Sequence, residues 1–230
     1  MASIVIAAGG TGGHIYPGLA LAAALRAVDP DVRVTFVGTP RGLEQRLIPA
    51  EGYDLRLVDM VPFTGWRRFV LPLALLRAAA QSRRILRTVG ADAVAGMGGY
   101  PSIPVILGAR LARVPSVIHE SGAVSGRANR ISARFTANVA LSFDKAAAGF
   151  PKATTRTVGM PLGPDIAGFD RAGLRARARA EFGVAEGVTL VMVNGGSQGS
   201  VRLNTAAVEL AGRWKDRDDV RLVVKTGRDH

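Results

Sequence analysis

Three glycine-rich turns and one histidine are the residues of this sequence best suited to chemistry. The turns occupy residues 9–13, 96–100 and 195–199, each between an apolar run and a helix-like run, and His14 follows the first turn directly. Because glycine lacks Cβ, such a turn lets a phosphate approach the backbone N–H groups at the positive end of a helix. The pattern favours a phosphorylated ligand, although close packing of a helix on a strand is the alternative explanation for any single turn.

His14 is the first candidate for proton transfer. It lies at or just inside the predicted start of a helix, where the helix dipole disfavours a cationic ring. We therefore expect a neutral imidazole near pH 7, as a general base requires. A histidine that only ties the turn together fits the spacing equally well. His119 and Glu120 end another predicted strand at the same sheet edge, where they either orient a substrate or loop, or serve the structure alone.

Several familiar chemistries are excluded. The first turn places Ile15 where a dinucleotide fingerprint needs its third glycine, the second strand ends without an acid, and no turn has the Gly-Lys-Ser/Thr of a P-loop. The absence of cysteine removes disulfides, thiolate zinc sites and cysteine nucleophiles. Asp216 and Asp218 have a metal-like spacing, but they fall in a solvated connection between a helix and a strand. We therefore predict no metal site and no cofactor.

Alternating β-branched and Ala/Leu/Arg-rich runs predict an α/β fold with a doubly wound parallel sheet. Proline and glycine cluster at residues 150–168 and predict a linker. We place a Rossmann-like domain at residues 1–155 and the first part of a second one at 156–230, because so short a segment cannot cover both faces of a second sheet. The predicted strands are 3–8, 32–37, 55–58, 93–96, 116–119, 188–193 and 220–224, and the predicted helices are 17–28, 42–51, 71–89, 102–112, 171–182 and 203–214.

The chain is basic, with a formal net charge of +12, and residues 60–140 contain eleven arginines and two acids. Such a charge favours an anionic partner, although an arginine-rich coding bias also explains it, since only four of the thirty basic residues are lysines. Nucleic acid is the less favoured partner, because no binding module is recognisable. One segment of interleaved aromatic and basic residues suits an anionic membrane surface, with a core-packed loop as the alternative: Phe63, Trp66, Arg67, Arg68 and Phe69.

The sequence also predicts where the protein resides. Its first residues enter a strand and have no basic leader, and no apolar run reaches about 18 residues, so we expect neither a signal peptide nor a membrane span. The lack of cysteine fits a cytoplasmic protein.

With these motifs the chain resembles the MurG family of bacterial glycosyltransferases. The resemblance extends over the whole sequence and rests on GGTGGH at 9–14, YPG at 16–18, GMGGY at 96–100, HE at 119–120, ANR at 128–130 and GGSQG at 195–199. It implies the GT-B architecture, with two Rossmann-like domains facing across a cleft. It also implies a metal-independent, inverting transfer of GlcNAc from UDP-GlcNAc to the C4 hydroxyl of the muramoyl sugar of lipid I, undecaprenyl-diphospho-MurNAc-pentapeptide. The implied product is lipid II, made for peptidoglycan at the cytoplasmic face of the cell membrane.

The resemblance assigns roles to individual residues. His14 is the implied base for the acceptor hydroxyl, and the segment at 63–69 is the implied membrane patch. The implied donor contacts are Thr11, Gly12, Gly13, Gly196, Ser197 and Gln198. The implied contacts of the acceptor diphosphate are Gly10, Gly98, Gly99, Tyr100 and Glu120.

Two positions depart from the family pattern. Gly122 stands where the family usually has a donor-contacting Asn, and Gly163 stands where it usually has an Arg. Each missing contact costs about 1–3 kcal/mol of donor binding. Two alternatives therefore stay open: a related enzyme that glycosylates another lipid-linked or natural-product acceptor, and a non-catalytic acceptor-binding half that needs a separate donor-binding subunit.

Overall fold

A computed structural model of the chain describes residues 1–60, 71–196 and 199–227. The chain forms two compact units, Met1–Gly168 and Phe169–His230. The predicted domain boundary after residue 155 falls inside a strand of the first unit, Thr154–Thr157, which pairs with its neighbour in the first sheet. The division between units follows Gly168, at the end of the proline- and glycine-rich segment.

The first unit alternates strands and helices along most of its length. Its strands are β1 (Ser3–Ala7), β2 (Arg33–Gly38), β3 (Asp54–Leu57), β4 (Ala93–Gly96), β5 (Ser116–Glu120), β6 (Asn138–Leu141) and β7 (Thr154–Thr157). Its helices are α1 (Gly12–Val28), α2 (Glu44–Ala50), α3 (Leu71–Thr88), α4 (Ser102–Ala112), α5 (Arg127–Ser132) and α6 (Pro164–Ala167), with a 3-10 helix at Asp144–Gly149.

The seven strands form one parallel sheet in the order β3-β2-β1-β4-β5-β6-β7. The chain therefore moves outward from β1 in one direction through β2 and β3, and returns to the other side of β1 with β4. In a sheet of this kind the strand order reverses beside β1, and ligands bind at the carboxyl ends of the strands on either side of that point. The predicted doubly wound parallel sheet is confirmed.

Alternate residues of β1 point into two hydrophobic cores, one on each face of the sheet. Val5 and Ala7 belong to the core that α3 and α4 cover, and Ile6 and Ala8 belong to the core that α1 and α2 cover. Because both faces are buried, β1 is apolar from Ile4 to Ala7 rather than alternating, as expected of a parallel strand between helix layers.

Two local details differ from the sequence predictions. Helix α1 begins at Gly12, five residues before the predicted start at Pro17, so the proline lies inside the helix and the glycines form its first turn. The short strands β6 and β7 and the short helices α5 and α6 were not predicted, since four to six residues carry too little periodicity to distinguish them from loops.

The second unit contains α7 (Arg171–Glu181), β8 (Thr189–Asn194), α8 (Val201–Arg213) and β9 (Val220–Lys225). Strands β8 and β9 are parallel and form a two-stranded sheet. In the parts of the chain that the structure describes, no helix is both long enough and apolar enough to cross a lipid bilayer.

Candidate active site

The candidate site lies where the strand order reverses, at the carboxyl ends of β1, β4 and β5. The turn after β1 leads into α1, the turn after β4 leads into α4, and β5 ends at Glu120. Ser102, the first residue of α4, is fully buried and joins the two turns: its hydroxyl lies 3.0 Å from the carbonyl oxygen of Ala7 and 2.6 Å from that of Gly98. The sheet thereby brings together predicted site residues from three distant parts of the chain.

His14 lies on the glycines of the second turn. A Cβ on Gly98 would come within 3.0 Å of His14 Cδ2. A Cβ on Gly99 would come within 3.2 Å of His14 Nδ1 and within 3.0 Å of the Gly9 carbonyl oxygen. Both glycines also have positive φ angles, 91° and 74°, which other residues adopt only with strain. These two glycines therefore make room for an imidazole of the chain itself, and a bound phosphate is not needed to explain them.

The environment of His14 favours its neutral form. Burial lowers the pKa of His14 below the usual 6.5, and the charge of Glu120 and a hydrogen bond with the backbone of Gly9 oppose this only in part. The direction agrees with the neutral imidazole predicted from the sequence, and its main cause is burial. Thr11 Oγ1 lies 3.3 Å from His14 Nδ1 and is its side-chain hydrogen-bond partner.

Glu120 is buried, and both of its carboxylate oxygens accept hydrogen bonds from the chain. Oε1 accepts from Gly122 N at 2.8 Å, and Oε2 accepts from Gly126 N at 2.8 Å and from the Asn129 amide at 3.0 Å. The same Asn129 amide donates to the carbonyl oxygen of His119. A carboxylate repels a diphosphate, so this geometry favours a role in ordering the 121–126 loop and in stabilising a protonated His14 over the predicted direct contact with the acceptor diphosphate.

The glycines of the first turn have different neighbours. A Cβ on Gly9 would lie 2.6 Å from the Glu44 carboxylate, and a Cβ on Gly12 would lie 3.0 Å from the Tyr16 ring. Gly10 has a φ of 87°, and its N–H donates to Glu44 Oε2 at 3.0 Å, so this predicted diphosphate contact already uses its backbone donor. Around Gly13 the space is open: a Cβ there would meet only Thr11 Oγ1, at 3.7 Å.

The start of α1 presents backbone donors to the site. Its N-cap residue, Thr11, is extended and makes no side-chain capping bond. The N–H groups of His14 and Ile15 both donate to the Thr11 carbonyl oxygen, whereas those of Gly12 and Gly13 precede the first intrahelical bonds. Beside these glycines lies a cavity of about 700 Å³ between α1 and residues 160–166. The open side of the first turn therefore combines helix N–H groups with space for a ligand.

The His119 ring contacts neighbouring loops of the first unit. Its Nε2 lies 3.0 Å from the carbonyl oxygen of Gly159 and 3.3 Å from Ser142 Oγ, so the ring connects the end of β5 to the segment after β7. Of the two interpretations of His119, the contacts of the ring favour the structural one.

The two positions that depart from the family pattern differ in the space around them. A Cβ on Gly122 would lie 3.0 Å from the Val124 carbonyl oxygen and 3.2 Å from Glu120 Oε1, whereas a Cβ on Gly163 would meet nothing within 4 Å. A Cβ is therefore accommodated at 163 without rearrangement, whereas at 122 the neighbouring atoms must shift by a few tenths of an ångström.

Two buried polar residues at the site, Glu44 and Thr39, have no role predicted from the sequence, and Asn129 enters there only as part of the ANR motif at 128–130. Glu44 and Thr39 are fully buried beneath the first turn, and Asn129 holds Glu120 in place. The only signal available for Glu44 was an acidic residue two positions after Gly42, near the start of the helix predicted at 42–51. Its partners lie as much as 34 residues away, so spacing alone could not reveal the contact.

The predicted sites of the second unit are described only in part. Gly196 has a φ of 85°, and its N–H donates to Asn194 Oδ1 at 2.9 Å. Ser197, Gln198 and the predicted membrane segment with Phe63, Trp66, Arg67, Arg68 and Phe69 lie outside the described residues. Within the described ranges, no group of three or more His, Cys, Asp or Glu side chains is arranged to hold a metal ion.

Comparison with known proteins gives the family. Residues 4–141 match the glycosyltransferase family 28 N-terminal domain. A protein of Saccharopolyspora erythraea named UDP-N-acetylglucosamine--N-acetylmuramyl-(pentapeptide) pyrophosphoryl-undecaprenol N-acetylglucosamine transferase is 47% identical over 208 residues, which cover 89% of this chain and 54% of that protein. The chain thus spans about half the length of the curated relatives it matches.

Solved structures agree with this result. The crystal structure of Acinetobacter baumannii MurG matches with a TM-score of 0.71 and 27% sequence identity, covering 98% of this chain and 61% of that one. Anabaena HepE in complex with UDP and glucose has a TM-score of 0.63 at 15% identity, covers 99% of this chain and 70% of that one, and supports the GT-B fold alone. The chain therefore belongs to glycosyltransferase family 28, in the MurG group that its motifs resemble.

Proposed function

We propose that this chain forms the acceptor-binding and catalytic-base part of an inverting glycosyltransferase. The proposed enzyme moves GlcNAc from UDP-GlcNAc to the C4 hydroxyl of undecaprenyl-diphospho-MurNAc-pentapeptide. The donor and the acceptor come from the name of the Saccharopolyspora relative and from the motif resemblance. The observation that carries the proposal is the position of His14, a partly buried histidine with a lowered pKa, between two glycine turns at the reversal point of the sheet.

In the proposed reaction His14 acts as the general base. It accepts the proton of the acceptor hydroxyl while that oxygen forms a bond to the anomeric carbon of GlcNAc and the bond from this carbon to the UDP oxygen breaks. The products are the disaccharide-bearing lipid, UDP and a protonated His14, which then releases its proton to solvent. The negative charge of Glu120 raises the pKa of His14 and so stabilises the cationic ring at this stage.

The start of α1 is the place best suited to bind the diphosphate of the acceptor or the donor. The N–H groups of Gly12 and Gly13 precede the first intrahelical bonds, and the helix dipole adds positive potential there. The N–H of Gly10 is bound to Glu44, so we do not assign it an anion contact.

The proposed enzyme works on a membrane-embedded acceptor, and a described surface supports docking to the membrane. Helix α3 follows the predicted membrane segment, and Leu73 and Leu76 in its first turns are 55% and 61% exposed. Arg77 and Arg84 are exposed on the same helix. Apolar side chains beside arginines suit insertion at the surface of an anionic bilayer, and we propose the cytoplasmic face as the site of docking.

Substitution of His14 tests the proposed chemistry. In the complete natural polypeptide, His14→Ala is expected to lower kcat by about 10²–10⁴-fold in transfer of labelled GlcNAc to a lipid I analogue. His14→Gln, which keeps a polar side chain of similar size but cannot act as a base, is expected to be equally impaired. Turnover at the wild-type rate in a folded variant would exclude His14 as the base. If the unaltered polypeptide transfers nothing without a second subunit, the acceptor-binding alternative is correct instead.

Vesicle sedimentation tests the proposed membrane surface. We expect Leu73→Ser with Leu76→Ser, and separately the replacement of Trp66, Arg67 and Arg68, to weaken binding to vesicles that contain anionic lipid. Val28→Ser is the matched control, because Val28 is an 87% exposed apolar residue at the end of α1. Equal sedimentation of all variants would contradict docking through this surface.

A further inference from the structure

Glu44 is a buried carboxylate beneath the first glycine turn, and the reaction proposed above does not use it. It is the first residue of α2 and is fully buried. Its Oε2 accepts a hydrogen bond from Gly10 N at 3.0 Å, and its Oε1 accepts from Thr39 N at 3.0 Å and from Thr39 Oγ1 at 2.9 Å. A buried carboxylate is costly unless it is paired or hydrogen-bonded, so these donors explain how the fold tolerates it but not why it is there.

The backbone around Glu44 is adapted to its side chain. Gly9 leaves space for the Glu44 carboxylate, because a Cβ on Gly9 would lie 2.6 Å from it. Two further glycines do the same. A Cβ on Gly38 would lie 2.7 Å from Glu44 Cγ, and a Cβ on Gly42 would overlap with Glu44 Oε2. Three glycines from the ends of β1 and β2 and from the start of the α2 segment thus surround one carboxylate.

Thr39 extends the contact to Tyr100. The Thr39 hydroxyl has a single proton and donates it to Glu44, so at its 3.1 Å contact with the Tyr100 hydroxyl it must be the acceptor. Tyr100 is therefore the donor in that bond, which orients its hydroxyl beside the second glycine turn. Gly10 also lies near this ring, since a Cβ there would be 3.7 Å from Tyr100 Cε1.

We propose that Glu44 is a positioning residue for the transfer reaction, and this inference rests on the function proposed above. Through the N–H of Gly10 it fixes the turn that leads into His14, and through Thr39 it orients Tyr100 of the second turn. One carboxylate thereby sets the relative position of the two turns between which His14 lies.

The charge of Glu44 adds a second effect on ligand placement. It occupies the N–H of Gly10 and places a negative group behind residues 9 and 10, which disfavours an anion at that end of the turn. A diphosphate is then directed toward the N–H groups of Gly12 and Gly13 at the start of α1. Glu44 acts through the backbone of Gly10 and the hydroxyl of Thr39, and we assign it no substrate contact, so its loss is expected to change kcat more than the KM for UDP-GlcNAc.

The first experiment uses a mild change that leaves the buried carboxylate and its bond to Thr39 N in place. Thr39→Val, measured in the complete natural polypeptide, is expected to lower kcat about tenfold with the KM for UDP-GlcNAc unchanged, because small displacements of reacting groups cost this much or more. Thr35→Val is the matched control, since Thr35 is a buried threonine of β2, the strand that Thr39 directly follows. Equal turnover of both variants would overturn the proposal.

The second experiment changes Glu44 itself. Glu44→Gln is expected to lower kcat by about 10–100-fold, with partial recovery in Glu44→Asp, which restores the charge. A folded Glu44→Gln variant with wild-type turnover would also overturn the proposal. If Glu44→Gln does not fold, the comparison of Thr39→Val with Thr35→Val decides the question alone.

A readout without turnover separates this inference from the proposed function. In the 230-residue chain, Glu44→Gln and Thr39→Val are expected to shift the NMR signals of the His14 ring, and Glu44→Gln to speed amide hydrogen exchange at Gly10 at least about tenfold. These changes are expected even if the polypeptide transfers no GlcNAc to lipid I. Unchanged His14 and Gly10 signals in a folded Glu44→Gln variant would show that the carboxylate does not position the turn.

Discussion

The glycine-rich turns after β1 and β8 have similar sequences but different surroundings. In the turn after β1, a Cβ on Gly9 would meet the Glu44 carboxylate, and one on Gly12 would meet the Tyr16 ring. In the turn after β8, a Cβ on Gly195 would lie 2.5 Å from Ser200 N, and one on Gly199 would overlap with the Thr226 carbonyl oxygen. The glycines of the turn after β1 make room for side chains, whereas those of the turn after β8 make room for backbone atoms.

This difference shows that a run of glycines has no single physical cause. Around the first two turns several neighbours are titratable or polar side chains that can move a proton or hold a loop, whereas Gly96 faces Ile106 and Ile118, and Gly99 also faces the Gly9 carbonyl oxygen. Around the described part of the third turn they are main-chain atoms of the turn itself and of the segment after β9. A glycine that faces the end of a side chain tolerates substitution better than one that faces backbone, because a side chain can rotate away. The following substitutions test this comparison.

The largest effect on stability is expected at Gly199. It combines a φ of 77° with a backbone obstacle, so we expect Gly199→Ala to cost the second unit at least about 3 kcal/mol in free energy of unfolding, measured in urea. Gly187→Ala is the matched control, with a φ of 81° and nothing within 4 Å of its Cβ, and is expected to cost only about 1–2 kcal/mol. Equal losses would mean that backbone strain, and not the obstacle, determines the effect.

The next effect is expected at Gly98, where the obstacle is the catalytic candidate. Gly98→Ala places a methyl group within 3.0 Å of the His14 ring at a φ of 91°, which costs about 1–3 kcal/mol and displaces the imidazole. We expect kcat to fall about 100-fold, since a shift of the order of 1 Å in a reacting group has this consequence. Gly90→Ala, with a φ of 61° and no neighbour within 4 Å, is expected to lose stability but to keep its turnover.

The regular part of the fold was predictable from the sequence. Strands β1, β4 and β9 and helices α3, α4 and α7 were predicted within a residue or two of their bounds, because short apolar strand runs alternate there with longer runs of helix-forming residues. The start of α1 was misplaced because Pro17 was taken as the first helical residue, a position that proline favours. In the structure the carbonyl oxygen of Thr11 begins the helix five residues earlier.

The candidate site was predictable only in outline. The sequence indicated that the turns after β1 and β4 meet at one sheet edge with His14, because parallel topology brings those strand ends together. It did not indicate that Gly98 and Gly99 leave room for His14, or that Gly9 leaves room for Glu44. Those contacts join residues far apart in the chain, and they depend on side-chain positions that only the packed fold determines.

A smaller effect is expected from pH, and it concerns His14 alone. Burial lowers the pKa of His14 below 6.5, so the unfolded chain binds more protons at this residue than the folded chain as the pH falls below about 6.5. Its contribution to stability is present above that pH and is lost as the pH falls through the folded pKa. In His14→Gln the free energy of unfolding is expected to fall less between pH 7.5 and pH 5 than in the wild type. A fall of equal size would contradict the lowered pKa.

The same pKa sets the pH below which kcat/KM falls, because only the neutral His14 can act as the base. We expect this acidic limb of the pH profile below pH 6.5. Because the charge of Glu120 raises the pKa of His14, Glu120→Gln is expected to move the limb to lower pH, and Glu120→Asp to leave it near its wild-type position. A limb that moves to higher pH in Glu120→Gln would contradict the assigned electrostatic influence.

The smallest effect on stability is expected at Gly13, where an effect on stability can be separated from an effect on donor binding. Gly13 lies in the first turn of α1, and a Cβ there would meet only Thr11 Oγ1, at 3.7 Å. Gly13→Ala is therefore expected to gain roughly 0.5–1 kcal/mol of stability, because alanine loses less conformational entropy in a helix. The added methyl group nevertheless lies beside the cavity and the helix N–H groups. We expect the KM for UDP-GlcNAc to rise about tenfold, which corresponds to about 1.4 kcal/mol of binding.

Gly212→Ala in α8 separates the two effects of that substitution. A Cβ on Gly212 would meet nothing within 4 Å, so Gly212→Ala is expected to bring a similar gain in stability with an unchanged KM. Gly13 differs from Gly212 in lining the cavity between α1 and residues 160–166, and only a ligand that enters that space distinguishes the two glycines. If the KM of Gly13→Ala equals that of Gly212→Ala, the open side of the first turn does not face the donor. The absence of a side chain at Gly13 would then serve only the packing of α1.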